Sequence, residues 1–310
     1  LKYGRVKNMK LDVGIFLNIS EDHISPIEHP DFEDYFASKL LMFKQTRYAV
    51  VNKDADFAER IIEAAKECER TITFSTQDSQ ADVYGYELEK DGHETVFRVK
   101  TEEFDEEFRL TMPGLFNVEN ALAVIGAAML LHIPVPYMKS GLYRARSKGR
   151  MELYSSEDKQ RIAIVDFAHN KLSYEKLFSS TKDEYPDYKI VAVFGSPGNK
   201  AITRRRDMGQ IAGKNADMVY LTADDPAKED VLDICKQIAV YVEEQNCPYK
   251  IVENRQEAIK MAMDEAEGKN VFLIMGKGDE TWLKYGTKKV PCKSDAEQVK
   301  ECLEAYNRLH

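Results

Sequence analysis

Apolar and polar positions along the chain repeat with two periods, and the places where one period gives way to the other outline the elements. Residues 13–17 form a short apolar run that stops on Asn18, Ser20, Glu21, Asp22 and His23, which predicts a buried strand with a polar end. Tyr35, Phe36, Leu40 and Phe43 then recur at spacings of three and four, predicting a helix over residues 32–43 with Asp31 as its cap. Residues 47–51 and 70–75 read as further strands, with a helix over 57–68 between them. From residue 82 to 112 the period falls to two, and Asp91-Gly92 is a hairpin signal. This stretch predicts a small antiparallel sheet appended to, or inserted in, a parallel α/β unit. Helices return over residues 117–131, with Asn117 as cap, and again from Pro134.

The loop over residues 141–150, GLYRARSKGR, is basic, short and flanked by glycine. It is the expected domain boundary and divides the chain into 1–148 and 149–310. Beyond it strand and helix alternate strictly. Apolar strands at 162–165, 190–194, 218–222 and 271–275 run out into Asp166 and His169, GSPGNK, ADDPAKED and GKGDE respectively. Helical stretches at 174–180, 207–214, 231–244 and 255–267 separate them. Four such strands predict a doubly wound, Rossmann-like parallel sheet whose chemistry gathers at the carboxyl ends. The fold class expected is therefore α/β in both halves.

Composition narrows the classes of function. With 310 residues the chain can bury two cores, and 43% hydrophobic with 31% charged residues is ordinary globular usage. The formal net charge of −9 comes from interleaved acids and bases, without the basic stripe a nucleic-acid surface needs, so no nucleic-acid partner is expected. No apolar run reaches the roughly 18 residues of a membrane span, so no membrane partner is expected either. Five cysteines without a C-x-x-C pair argue against a disulfide framework or a zinc site. They fit a reducing compartment, hence the cytoplasm.

Candidate chemistry sits at the strand ends. His23, beside Asp22, can ligate a hard cation or hold a phosphate, although a lone histidine is more often structural. Lys39, sixteen residues on, is by itself a solvated helix lysine. Held near a metal and partly desolvated, it can lose its proton and take up carbon dioxide as a carbamate, an anionic ligand for Mg²⁺. GSPGNK and GKGDE match neither G-x-x-x-x-G-K-[ST] nor G-x-G-x-x-G, and each alone is a tight strand-to-helix turn. Beside Asp166 and Asp224-Asp225 the two turns outline a ligand crevice.

Taken in order, these residues resemble the Mur ligases, the ATP-dependent amino-acid ligases of peptidoglycan precursor synthesis. NISEDHIS at 18–25 is similar to N-[LIV]-[ST]-x-D-H-[LM]-D, and YFASKLLMF at 35–43 to Y-x-x-x-K-x-x-[LI]-F. GLFNVENALA at 114–123 resembles G-x-[FH]-N-x-x-N-x-x-A, GRME at 149–152 resembles G-R-[MF]-E, and VDFAHN at 165–170 resembles V-D-Y-A-H-[TN]. GKGDE at 276–280 takes the late G-K-G-x-E position. Within the family the likeness is greatest to the branch that adds a diamino acid to UDP-MurNAc-L-Ala-D-Glu. The resemblance implies a central ATPase-type domain, a parallel sheet plus a small antiparallel one, followed by a Rossmann-like C-terminal domain. It implies that Lys39 is the carbamylated lysine and that His23 helps to position Mg²⁺. Asn117 would read the adenine, while Arg150, Asp166 and His169 would serve ATP phosphates and ribose. Arg5 would touch the UDP-linked substrate, and Asp224, Asp225, Asp279 and Glu280 would face the incoming amino acid. The protein is expected to act as a monomer.

Two departures from the family pattern shape these expectations. Diaminopimelate-adding members carry D-N-P-R, whose arginine pairs with the second carboxylate of that amino acid; here the positions are Asp224-Asp225-Pro226-Ala227. Loss of a bidentate clamp and gain of an acid favour L-lysine, with Lys228 one position later as a countervailing charge. The resemblance also begins after the family's N-terminal uridine-binding domain and G-K-[ST] loop, so this polypeptide alone is expected to be inactive. Other readings of the same residues are another Mur or folylpolyglutamate synthetase-type ligase, or a non-catalytic Rossmann-like nucleotide-binding module.

Overall fold

A computed structural model describes residues 8–20, 29–91, 94–112, 114, 116–200 and 202–310. The chain divides into two compact units between Arg146 and Ser147.

The first unit is built on one six-stranded sheet. Strand β1 (Leu11–Phe16) leads through helix α1 (Phe32–Leu40) and a short 3₁₀ turn (Leu41–Gln45) to β2 (Thr46–Asn52). Helix α2 (Ala58–Ala65) then leads to β3 (Arg70–Ser75), and β1, β2 and β3 pair in parallel. The stretch of period two forms β4 (Val83–Asp91), β5 (Glu94–Lys100) and β6 (Asp105–Leu110). It is not a separate layer. Strand β4 pairs in parallel with β3, and β5 and β6 follow antiparallel, so the spatial order β1-β2-β3-β4-β5-β6 is the order in sequence.

Alternation along the central strands sends side chains to two cores. Phe16, Ala49 and Val51 pack with Tyr35, Phe36 and Phe43 of the α1 segment and Ile61 of α2. On the opposite face Val50, Ile72, Phe74, Val83, Phe97 and Phe108 meet helix α3 (Phe116–Leu130) and Met138 and Leu142 of helix α4 (Val135–Arg144). Each fully buried large aliphatic or aromatic side chain contributes about 1.5–3 kcal/mol. Asp31 caps α1 as its sequence position predicts, accepting a hydrogen bond from Asp34 N. Asn117 does not cap α3: it lies within the first turn, its N–H donating to Gly114 O.

The second unit holds a sheet of order β11-β10-β9-β12-β8-β7. Its elements are β7 (Glu152–Ser155), β8 (Arg161–Asp166), α5 (Lys171–Glu184), β9 (Lys189–Phe194), α6 (Thr203–Asn215), β10 (Met218–Leu221) and α7 (Val231–Glu243), then β11 (Tyr249–Ile251), α8 (Arg255–Asp264) and β12 (Asn270–Met275). A hairpin of β13 (Trp282–Tyr285) and β14 (Lys288–Pro291) and helix α9 (Asp295–Asn307) complete it. Strands β8 to β12 are parallel, and β7 adds an antiparallel edge.

Helices α8 and α9 cover one face, burying Ala258, Ile259, Val299 and Leu303 against Val165, Val193, Phe272 and Ile274. Residues of the alternate register point the other way, where Phe194 meets Tyr174 of α5 edge-on at 5.4 Å. Helices α5, α6 and α7 pack side by side there. Strand β9 therefore leaves to α6 on one face, whereas its neighbour β12 leaves through the hairpin to α9 on the other. Adjacent strands whose exits diverge open a crevice at their carboxyl ends, the usual place for a ligand in a doubly wound sheet.

Candidate active site

That crevice is lined by the ends of four parallel strands. After β9 comes Gly195-Ser196-Pro197-Gly198-Asn199-Lys200, and close approach dictates its glycines: a Cβ on Gly198 would lie 1.8 Å from Pro226 O. Arg205 of α6 holds this loop in place. Its guanidinium donates to Pro197 O at 3.2 Å and to both carboxylate oxygens of Glu229, which in turn accepts from Asn199 N. The hydrogen bond from Arg205 keeps the Glu229 carboxyl below its ordinary range.

After β10 come Asp224 and Asp225. Asp224 is buried, and burial raises its pKa from 3.8 to about 6 even though Arg255 and Lys277 pull the other way. No side chain or backbone N–H among the described residues donates to its carboxylate. Asp225 adopts a left-handed φ of 46°, a conformation aspartate tolerates better than most residues. Its Oδ1 accepts from Lys277 Nζ at 2.8 Å and from Lys284 N at 2.9 Å.

After β12 comes Gly276-Lys277-Gly278-Asp279-Glu280. Gly276 has φ 112°, and a Cβ there would sit 2.3 Å from Asp224 Oδ2, so only glycine lets the turn and that carboxylate share the space. The Lys277 ammonium lies between two acids, 2.8 Å from Asp225 and 2.5 Å from Glu280, and 4.3 Å from the centre of the Trp282 ring. Only 3% of its side chain is exposed. Burial pushes its pKa down, and the hydrogen bonds to Asp225 and Glu280 outweigh that and raise it.

The end of β8 supplies Asp166. Both its oxygens accept backbone N–H bonds, from Met151 at 2.8 Å and Ala168 at 2.7 Å, while burial raises its pKa against them. Arg150 lies over the Phe167 ring at 4.7 Å, and the His169 ring meets Phe167 O at 2.8 Å through Nδ1. Gly149, at φ 66°, packs on the backbone of Gly278 and Asp279, which ties the Gly149–Met151 turn to the β12 loop.

The residues singled out from sequence are thus distributed unequally. Asp166, Asp224, Asp225 and Glu280 share the crevice of the second unit, with exposed Asp279 at the β12 loop and Arg150 and His169 beside Asp166. In the first unit Lys39 is exposed on α1, its ammonium 5.1 Å from the Tyr35 ring centre, and Tyr35 also meets His29 edge-on at 5.2 Å. His29 is paired through Nδ1 with Asp34 at 2.6 Å. Asn117 is buried in α3, with Oδ1 accepting from Asn120. His23 and Arg5 lie outside the described residues. Among the described residues no three His, Cys, Asp or Glu side chains gather as a metal site; the centre expected at His23 and Lys39 includes His23, which lies outside those residues.

Sequence reasoning passed over Lys277, Trp282 and the Arg255–Asp295 pair. The signal for Lys277 was present: a lysine between two glycines at the end of a fully apolar strand has little room to reach solvent.

Comparison with known proteins places this geometry in a family. The family described as Mur ligase middle domain matches residues 1–128, and that described as Mur ligase, glutamate ligase domain matches residues 149–278. UDP-N-acetylmuramoyl-L-alanyl-D-glutamate--2,6-diaminopimelate ligase of Caldanaerobacter subterraneus subsp. tengcongensis is 34% identical over 98% of the chain and 61% of its own length. UDP-N-acetylmuramoyl-L-alanyl-D-glutamate--L-lysine ligase of Streptococcus thermophilus is also 34% identical, over 96% of the chain and 60% of its own length. A crystal structure of MurF ligase from Thermotoga maritima in complex with ADP superposes with a TM-score of 0.66 at 15% identity, covering 98% of this chain and 64% of that one. The chain therefore spans about three fifths of the length of these relatives. With both family regions matched in order along the chain, at residues 1–128 and 149–278, the chain belongs to the Mur ligase family, as a middle domain followed by a glutamate ligase domain.

Proposed function

We propose that these two units serve an ATP-dependent ligase that adds a diamino acid, L-lysine in preference to 2,6-diaminopimelate, to UDP-MurNAc-L-Ala-D-Glu in the cytoplasm. The observation that carries this reading is the equal 34% identity, over nearly the whole chain, to two ligases named for the same dipeptide acceptor and differing only in the amino acid. No helix among the described residues is long and apolar enough to cross a membrane.

In this reading the acceptor carboxylate attacks the γ-phosphorus of ATP, ADP departs, and the acyl phosphate keeps the phosphoryl group. The neutral amine of the diamino acid then attacks the acyl carbon, the acyl C–O bond breaks, and phosphate leaves. Such transfers depend on positioning and charge neutralisation more than on covalent help from the protein. Asn117 would read the adenine, Arg150 the phosphates, and Asp166 and His169 the ribose side of the nucleotide. Arg5 would touch the UDP-linked acceptor. Asp224, Asp225, Asp279 and Glu280 would face the amino acid, and Lys39 and His23 would stand at the reacting phosphate. Mg²⁺, when bound, would neutralise phosphate oxygens. The absence of arginine at position 227 supports lysine, because nothing on the Asp224–Ala227 turn offers a bidentate clamp to a distal carboxylate.

The test supplies ATP, UDP-MurNAc-L-Ala-D-Glu and either amino acid to this chain and to any longer polypeptide its gene encodes. Phosphate release and product mass are followed. The expected product is the lysyl tripeptide; absence of any amino-acid-dependent product from the longest polypeptide would sink the reading.

A further inference from the structure

Between Glu119 and Glu152 the chain has no acidic residue, yet it carries Lys139, Arg144, Arg146, Lys148 and Arg150 in a protein whose formal net charge is −9. Helices α3 and α4 and the turn between them make up most of this stretch. A left-handed His132, φ 56°, closes the turn, with His132 N donating to Met129 O and Ile133 N to Ala128 O. Both helices pack their inner residues on the same face of the first sheet, Leu122 and Ile125 from α3 and Met138 and Leu142 from α4. Their outer faces therefore look the same way. A surface helix ordinarily turns polar residues outward. Here Val124 and Leu131 on α3, Ile133 on the turn and Tyr137 on α4 are all exposed, Tyr137 by 71%.

We propose that the outer face of α3 and α4 is a peripheral docking surface for a bilayer bearing anionic lipid headgroups, with Leu131, Ile133 and Tyr137 entering the headgroup layer and Arg144 and Arg146 holding lipid phosphates. A chain without a membrane-crossing helix among its described residues can still lie on a membrane. This face belongs to the first unit, whereas the crevice belongs to the second, and the proposal does not rest on the ligase reading.

The charges around the patch favour this occupant. Lys139 is taken up by Glu106 at 2.9 Å, and Glu94 is shared by Arg109 and the Tyr143 hydroxyl. Arg144 and Arg146 are exposed and, among the described residues, donate only to backbone carbonyls: Arg144 to Ser140 O, and Arg146 to Tyr143 O and Ala145 O. A guanidinium without a carboxylate keeps its fork for a phosphate. Gly141 lies one turn from Tyr137 and one from Arg144 on the same side of α4, and a Cβ there would meet nothing within 4 Å, so no other part of the unit covers that side. An exposed tyrosine beside aliphatic side chains and arginines is the composition of surfaces that lie at a membrane interface. A protein partner is read through hydrogen bonds as well as apolar contact, and Asn120, the polar side chain one turn before Val124, already donates to Asn117. The acidic remainder of the molecule is repelled by an anionic bilayer, which leaves this face as the favoured approach.

The experiment is vesicle flotation. The longest polypeptide that the gene encodes is mixed with vesicles of phosphatidylcholine alone, or of phosphatidylcholine and phosphatidylglycerol at about 3:1. The wild type should float with the mixed vesicles and stay behind with the neutral ones. Salt near 1 M, where the Debye length is ~3 Å, should release it. Arg144→Gln with Arg146→Gln should lower the partition coefficient about 20-fold, at roughly fivefold per arginine. Tyr137→Ser should lower it several-fold and leave the thermal midpoint unchanged, because the ring is exposed. Lys214→Gln with Lys236→Gln removes the same charge from exposed positions of the second unit and should change it by no more than about twofold. Hydrogen exchange on the wild type needs no variant: amides of residues 131–146 should slow when the mixed vesicles are added. Equal flotation with neutral vesicles, an unaltered partition in the double arginine variant, or slowing confined to other segments overturns the proposal. So does the absence of flotation, the result expected if a protein or a further part of a longer chain covers this face. None of these readouts depends on ligase activity.

Discussion

Asp224 is where the chemistry of a single residue is most exposed to measurement. Its folded pKa of about 6 lies above the unfolded 3.8, so the folded state holds the proton more tightly. Stability is then highest below pH 3.8, falls as pH rises to 6, and is level above that. The shift corresponds to about 3 kcal/mol at neutral pH. Asp224→Asn should therefore raise the thermal midpoint at pH 7.5 and leave it unchanged near pH 4; a difference independent of pH would show that burial of the charge is not the cause. Gly276→Ala tests the same neighbourhood from the other side. A left-handed alanine whose Cβ meets Asp224 at 2.3 Å should cost about 1–3 kcal/mol by chemical denaturation. At this scale the sequence was half legible. Acids at strand ends were visible as candidates because apolar runs stop on them, but which acids are compensated was not. Lys277 lies fifty-two positions from Asp225, and only the parallel pairing of β9 with both β10 and β12 brings their loops together.

Among the elements, legibility followed burial. Strands β8, β9, β10 and β12 are buried along nearly their whole length and read as apolar runs, which is why these four parallel strands could be placed from the hydrophobic pattern alone. Strand β7, with four half-buried residues, and β11, with two half-buried residues flanking an exposed lysine, carry no such run, and the exposed hairpin strand β14 reads as a charged loop. Helix α2 starts one residue later than its apolar spacing suggests because Phe57, with φ 60°, turns left-handed ahead of it. The antiparallel stretch was identified by its period, yet its junction with β3 rests on two residue pairs, Phe74 with Val83 and Ser75 with Tyr84, which no local pattern announces. How α8 and α9 are locked was equally hidden. Arg255, at the first position of α8, and Asp295, at the first of α9, form a bidentate pair at 2.7 Å with both side chains under 5% exposed. Arg255→Met should leave Asp295 charged and unpaired and cost about 3–5 kcal/mol in denaturant unfolding. Adding Asp295→Leu should recover most of that loss; a double variant as unstable as the single one would show that the helices are held by something else.

On the scale of the molecule, two sheets with separate cores predict two folding units. The apolar clusters described in the first unit draw on residues 13–142 and that of the second on residues 154–303, so neither core needs residues from the other to close. Small domains of this size unfold cooperatively, with a denaturant slope set by the surface each exposes. The chain carries a single tryptophan, Trp282, on the hairpin of the second unit, while helix and strand signals come from both. Guanidinium unfolding followed by tryptophan fluorescence should report one transition, that of the second unit. Far-ultraviolet circular dichroism on the same samples should show that transition and a second one that fluorescence misses. Residues 147–310 expressed alone should reproduce the fluorescence midpoint within about 0.3 M, since linear extrapolation is no better than roughly 10–15%. Coincident curves by both probes, with a large drop in midpoint for the isolated second unit, would mean that the two sheets fold as one. That outcome would move the source of stability from the two cores to the junction at Arg146–Ser147. It would also make any substitution in the crevice, Asp224→Asn included, a perturbation of the whole chain instead of one unit.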